Sequence, residues 1–299
     1  MKKYIVVTGG CGFVGANLIQ YLLKKTKDKI ISIDDYSVGS KKNQIISKQI
    51  KYIKGNTKDI NKILKKYSSR IKVIFHFGEF SRIYQSFFQM STCIQSNTIG
   101  SNEVFNYCLQ NKIKLIYSAT SASLGNKGED KNLSPYAFTK SKNLELLDNL
   151  KKWFNFKYEV IFFYNVYGPK QIRTGPMATV IGIFEDCYLK KKPLPVVMPG
   201  SQSRRFTHID DTIKVCYEAW RKNKNRYYSI ANKKNFTIKE VAKLFNAKIK
   251  LLPPRKGERY ASALTNMSLN NKVHRRYGQI QLKDYIQNFI KTHSKSINF

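Results

Sequence analysis

The stretch TGGCGFVG, Thr8 to Gly15, decides the fold. It follows the apolar run Tyr4–Thr8, which reads as a strand, and leads into Phe13–Lys25, whose apolar spacing reads as an amphipathic helix. Gly9, Gly10, Gly12 and Gly15 therefore sit between a first strand and a first helix. A tight turn here needs positive φ, a pyrophosphate needs bare backbone nearby, and helix and strand must pack closely. The helix N-terminus offers free N–H groups and a positive dipole end to phosphates. Asp34 comes 19 residues after Gly15 and ends the second strand. A carboxylate there accepts hydrogen bonds from a ribose 2′-OH, which favours NAD over NADP.

Outward from this turn, Lys29–Asp34, Ile50–Lys54, Val73–Phe77, Lys114–Ser118 and Glu159–Phe163 read as further strands. Helices are expected over Ile60–Tyr67, over about 83–110 with a possible break, and over Tyr136–Phe154. Nearly all-apolar strands alternating with helices imply an α/β fold: a Rossmann-type doubly wound parallel sheet, covered on both faces. Beyond Gly168–Pro169 the rhythm loosens and prolines accumulate (Pro176, Pro193, Pro195, Pro199, then Pro253–Pro254). The expected organisation is a nucleotide-binding domain over 1–169 and a smaller mixed α/β C-terminal substrate-binding region over 170–299. Some segments of that region are expected to return to the first sheet.

The 299 residues include 54 Lys and Arg against 19 Asp and Glu, a formal charge of +35, and 42% are hydrophobic, enough for a sizeable core. Eleven of the basic residues are arginine and the rest lysine. They are spread as short pairs (Lys41–Lys42, Lys151–Lys152, Arg275–Arg276) rather than gathered in a tail or stripe. The charge therefore reads mainly as composition and solvated faces, and neither nucleic acid nor membrane is expected as a partner. No apolar run approaches the roughly 18–20 residues of a membrane span. The start, MKKYIVVTGG, is too short in apolar residues for a signal peptide. Five cysteines without a close pair argue against a disulfide framework and a zinc site, and suggest a reducing cytoplasm.

Tyr136 and Lys140 lie four residues apart and share a helix face. A nearby ammonium and a cationic nicotinamide would both favour phenolate, making a general base for a sugar hydroxyl. Spacing alone does not select this pair, since Tyr21/Lys25 and Tyr188/Lys192 share it. Context does: only Tyr136/Lys140 opens a helix (SPYAFTK) after the strand ending in YSATSASLG, whose hydroxyls fall at the sheet edge where ligands bind.

With HFGE (His76–Glu79), Asn97 and NVYGP (Asn165–Pro169), these motifs occur in an order that resembles the extended short-chain dehydrogenase/reductases, including the NAD-dependent nucleotide-sugar epimerases and dehydratases such as UDP-glucose 4-epimerase. The resemblance covers essentially the whole chain and continues through GSQSRRFTHIDD (Gly200–Asp211) and RKGE (Arg255–Glu258). It implies NAD as cofactor, contacted by Gly9, Gly12, Phe13, Val14, Gly15, Asp34, Asn56, Thr57, Phe77, Gly78, Asn97, Ser118, Tyr136, Lys140, Tyr164 and Val166. Asn56 and Thr57 replace the Asp–hydrophobe pair that usually meets the adenine. Lys140 would also hold the nicotinamide ribose. The family places its catalytic hydroxyl five residues before the glycine that closes the strand motif. Counting from Gly125 gives Thr120, while Ser118 and Ser121 read as strand-end polarity. The catalytic set is thus Thr120, Tyr136 and Lys140, with no metal. Arg204 and Arg255 stand where relatives grip the sugar-nucleotide diphosphate, a role that suits bidentate arginine. Arg205 stands where Asp is common and adds charge there. Asn165, Glu79 and Arg82 are further candidates for the substrate, with a loop salt bridge as the other reading of Glu79 and Arg82. His76 and His208 read as strand-end and helix-start residues.

Departures from the family bear on the reaction. The 4,6-dehydratases follow the threonine with Asp-Glu, and decarboxylases carry Glu there. Here Ser121 and Ala122 follow Thr120, with no acid for water loss. Heptose 6-epimerases resemble GPMATV (Gly175–Val180) but use a lysine just before it, where Thr174 and Arg173 stand here. What remains is a 4-epimerase acting by transient C4 oxidation and re-reduction of a UDP-sugar. Ser262 falls where a small residue leaves room for an N-acetyl group, which implies tolerance of N-acetylhexosamine nucleotides. A C4 oxidase or reductase, or a heptose 6-epimerase, is the alternative enzyme, and a non-catalytic RNA-binding relative the alternative binder. The resemblance further implies a homodimer through a four-helix bundle of the helices around Ser91–Gln110 and Tyr136–Phe154.

Overall fold

A computed structural model of the chain describes residues 3–124, 132–257 and 273–294. The first half runs β1 (Tyr4–Thr8), α1 (Phe13–Lys25), β2 (Lys29–Asp34), β3 (Ile50–Lys54), α2 (Ile60–Leu64) and β4 (Ile71–His76). Then come α3 (Ile83–Ser86), α4 (Met90–Ile94), a π turn over Gln95–Gly100, α5 (Ser101–Gln110), β5 (Lys114–Thr120), α6 (Pro135–Phe154) and β6 (Tyr158–Phe163). The rest comprises β7 (Val166–Tyr167), α7 (Val180–Leu189), β8 (Leu194–Val197), β9 (Ser203–Arg205), β10 (Thr207–His208) and α8 (Ile209–Lys222). It continues with β11 (Tyr227–Ala231), β12 (Asn235–Thr237), α9 (Ile238–Leu244), β13 (Ile249–Leu252), β14 (Val273–Tyr277) and α10 (Leu282–Ser294).

Eight parallel strands form one sheet in the order β14-β11-β6-β5-β4-β1-β2-β3. The chain starts at β1, winds outward to β3, and restarts on the other side of β1 with β4. Winding therefore reverses between β1 and β4, where the strands' carboxyl ends open a crevice. Alternation along the strands explains why both faces are apolar. Val6, Ile31, Ile74 and Leu115 pack with Val104 and Phe105 of α5 and Leu147 of α6. Ile5, Val7, Ile30 and Phe75 point the other way, onto Leu18 and Leu22 of α1 and Ile209 and Ile213 of α8. A third cluster, with Phe184, Phe206, Phe236, Phe245 and Phe289, holds α7, α9 and α10 with the two-stranded pairs β8–β13 and β9–β12.

Two details differ from the sequence reading and matter for the site. β5 runs on to Thr120, which is its last residue. The segment 83–110 is broken twice: a short α3 ends at Ser86, and the π turn separates α4 from α5. Among the described residues, no helix is long and apolar enough to cross a membrane, and no cluster of three or more His, Cys, Asp or Glu could hold a metal ion. All five cysteines are free.

Candidate active site

The glycine turn forms one end of a cavity of about 880 Å³. Gly9 has φ +66° and donates its N–H to Ile33 O at 2.8 Å; a Cβ on it would come within 2.8 Å of the Phe77 backbone. A Cβ on Gly15 would meet Gly9 O at 2.1 Å, so α1 packs directly on the turn. Gly12 caps α1 without any side-chain acceptor, and the first helical turn has no acid. The early N–H groups of α1 thus lack an intrahelical partner where Phe13, Val14 and Gly15 line the cavity. This is the cradle a pyrophosphate needs.

Asp34 lies beside it, 7% exposed, accepting from Cys11 N and Tyr36 N at 2.9 Å each. Burial pushes its carboxyl pKa up, with the Asp35 charge adding to the shift, and the backbone N–H groups of Tyr36, Cys11 and Gly12 oppose it. Its remaining acceptor capacity faces the cavity, as a ribose diol requires. Asn56 and Thr57 also line this end, but the Asn56 side chain is already engaged. It donates to Asp35 at 3.1 Å and accepts from Lys58 N at 3.1 Å.

At the opposite end β5 delivers Thr120 and α6 delivers Tyr136 and Lys140. Helix α6 starts here because Ser134 accepts from Ala137 N at 3.0 Å and Pro135 occupies the first turn, where it sacrifices no hydrogen bond. The Thr120 hydroxyl, which accepts from Ala122 N at 3.2 Å, lies beside the Tyr136 phenol. Burial pushes the Tyr136 pKa up to about 12; the Thr120 hydroxyl and the Arg82 charge oppose this, and the Glu79 charge adds to it. Lys140 differs from the expectation that its ammonium simply serves Tyr136. It is buried, donates to Glu79 and to Ser118 O (2.6 Å), and lies 4.7 Å from the Tyr117 ring centre.

The structure places most of the predicted residues around this one cavity. Gly9, Gly12, Phe13, Val14, Gly15, Asp34, Asn56, Thr57, Phe77, Gly78, Ser118, Thr120, Tyr136, Lys140, Asn165, Val166 and Arg204 all line it. Glu79 and Arg82 do as well, but Glu79 faces inward as the partner of Lys140, its side chain 2% exposed, so it is not placed to meet sugar hydroxyls. Asn97 is not among the lining residues. Its side chain brackets Phe80, accepting from the backbone N at 2.7 Å and donating to the O at 3.0 Å. Tyr164, 1% exposed, is a core residue. Arg255 is exposed and stacks over Tyr84 at 5.2 Å, apart from the lining. Arg205 donates to the carbonyls of Asn232 and Lys233. His76 ends β4 and His208 caps α8, accepting from Asp210 N. Ser262 lies outside the described residues. Sequence reasoning missed Asp35, Ser37, Lys58 and the polar run Ser91, Gln95, Ser96 on α4 and the π turn. No motif marks them; only the break in 83–110 turns that run toward the cavity.

Residues 5–231 match the NAD dependent epimerase/dehydratase family. The chain is 29% identical over 229 residues to the uncharacterized UDP-glucose epimerase YtcB of Bacillus subtilis, covering 70% of each chain. It is 27% identical over 268 residues to the dTDP-D-glucose 4,6-dehydratase of Dictyostelium discoideum, covering 80% of this chain and 60% of that one. Among solved structures, the UDP-N-acetylglucosamine 4-epimerase of Methanobrevibacter ruminantium M1, in complex with UDP-N-acetylmuramic acid, superposes with a TM-score of 0.84. The identity is 25%, covering 99% of this chain and 100% of that one.

Proposed function

The chain belongs to the NAD dependent epimerase/dehydratase family, and from that premise we propose that it is a 4-epimerase of a UDP-hexose or UDP-N-acetylhexosamine. The observation that carries this reading is the set of acids around the cavity. Dehydration needs an acid and a base beside the sugar, in addition to the Tyr–Thr pair. Among the described lining residues the carboxylates are Asp34, Asp35 and Glu79. The first two stand at the glycine-turn end, and the third is held by Lys140. Ser121 and Ala122 follow Thr120. The heptose-epimerase alternative loses support too, because Arg173 gives its Nε to Glu185 at 2.8 Å.

NAD, when bound, supplies the acceptor and donor for the C4 hydride. Thr120 orients the 4-hydroxyl, and Tyr136 takes its proton and later returns it. Lys140 keeps one N–H for the ribose beyond its two hydrogen bonds. Arg204 is assigned to the diphosphate and Asn165 to the sugar, a reading supported by their both lining the cavity. The test is to denature the purified protein, identify any released dinucleotide, and screen UDP-, GDP-, dTDP- and ADP-sugars by mass spectrometry and NMR. Interconversion of C4 epimers without net NADH release is expected, and Tyr136→Phe should abolish it while NAD is retained. A 4-keto-6-deoxy product or stoichiometric NADH would overturn the reading.

A further inference from the structure

Lys140 is not a free ammonium. Its partner Glu79 accepts from four side chains: Lys140 through Oε2, and Ser101 (2.8 Å), Tyr117 (3.0 Å) and Asn143 (3.3 Å) through Oε1. A buried carboxylate with four donors is ionised and fixed. The Lys140–Glu79 pair therefore presents close to zero net charge to its surroundings. Arg82 is the opposite case. Its Nε and Nη2 donate to Met177 O at 2.9 and 2.6 Å, and its Nη1 to Ser81 O at 3.0 Å. These acceptors are neutral carbonyls, and among the described residues no carboxylate pairs with it. The Met177 anchor belongs to the Tyr136 side of the cavity: Met177 packs against the cluster of Phe80, Ala122, Tyr136 and Ala137. The helix that follows Arg82 meets Tyr136 as well, since Ser86, at the end of α3, accepts from Tyr136 N at 3.3 Å.

We propose that the activating charge has been exchanged in this chain: Glu79 cancels Lys140 and makes it a positioning residue, and Arg82 is the cation that stabilises the Tyr136 phenolate. The proposal rests on Tyr136 being the base. The charged and titratable groups that act on Tyr136 are Glu79 and Arg82 from the loop after β4, Cys93 from α4 and Tyr117 from β5, with Lys140 one turn further along α6 itself. Arg82 lowers the phenol's pKa, while Glu79 and Cys93 raise it.

The test reads Tyr136 directly. In NAD-loaded protein labelled with 13Cζ-tyrosine, its resonance is assigned by loss in Tyr136→Phe and followed against pH. Arg82→Met should raise the midpoint by at least one pH unit, with Arg82→Lys retaining most of the wild-type value. Glu79→Gln should lower it by about as much, since Lys140 is then uncancelled. The double variant Glu79→Gln/Lys140→Met removes a neutral pair and should stay within half a unit of wild type. If the double variant moves the midpoint as far as Arg82→Met, or Arg82→Met leaves it in place and only raises KM, the proposal is wrong. Should the double variant not fold, Glu79→Gln and Arg82→Met decide by opposite shifts against no shift. Turnover of UDP-glucose and of UDP-N-acetylglucosamine is measured in parallel. Tyr136 titrating as described without turnover overturns the epimerase reading and leaves the charge assignment standing.

Discussion

At the scale of single residues, the Glu79 network reaches back to the first strand. Thr8 Oγ1 accepts from the backbone N–H groups of Phe77 and Gly78, both at 3.1 Å, so its own proton goes to His76 Nδ1 at 2.8 Å. The ring is then protonated at Nε2, which donates to Ser101 Oγ at 2.9 Å, and Ser101 donates to Glu79. Burial lowers the His76 pKa to about 4, so the ring is neutral in the fold. In the unfolded chain it protonates near 6.5. Between these values the unfolded state binds more protons, so this contribution is complete above pH 6.5 and is lost as pH falls toward 4. The loss amounts to about 2–3 kcal/mol. Denaturant melts at pH 7 and pH 4.5 should show it, and His76→Gln should have a shallower slope by about that amount. Equal slopes would contradict the neutral-histidine assignment. The sequence places His76 at a strand end and offers Glu79 either to the substrate or to a loop salt bridge. That the two are joined through Ser101 depends on contacts between β4 and α5, which no local pattern encodes.

At the scale of elements, α6 carries both the base and its lysine, and its first turn is set by Ser134. Ser134→Ala should lower stability by about 1 kcal/mol, with Ser134→Asp recovering it. Because Tyr136 lies two residues from the cap, turnover should fall more than NAD binding does; calorimetry and steady-state kinetics check the two parts. An unchanged melting temperature would mean the cap is dispensable. This helix, the glycine turn and the strand core were legible because each has a local cause: a cap, a φ > 0 position, a period-two apolar run. The π turn was not. Periodicity assumes 3.6 residues per turn, and Gln95–Gly100 departs from it where Asn97 turns inward to Phe80. Gly100 fits there because a Cβ would lie 2.3 Å from Thr57 Oγ1. Gly100→Ala should therefore destabilise the protein and weaken NAD binding together, through displacement of Thr57 on the cavity wall. A stability loss with unaltered NAD affinity would separate the two segments.

For the whole molecule, the +35 charge does not concentrate at the site. Lys58, Arg82, Lys140 and Arg204 line the cavity against Asp34, Asp35 and Glu79, a difference of one charge. The excess lies on the outer faces, and that has a consequence for association. Met90, Ile94, Ile99 and Phe138 are exposed large apolar residues on α4, the π turn and α6, and Trp153 and Phe154 end α6 in the same state. These are the helices expected to build a four-helix dimer interface, and burying such side chains drives association. Two copies bring like charge together, and salt screens that repulsion while leaving the apolar term in place. A dimer of the 34.7 kDa chain formed through these helices should therefore tighten as salt rises, opposite to an interface held by ion pairs. Sedimentation velocity at 50 and 500 mM NaCl should show a larger dimer fraction at the higher salt. Ile94→Glu and Phe138→Glu, on α4 and α6, should each be monomeric at both. Dimers that weaken with salt, or survive both substitutions, would place the interface elsewhere on the molecule.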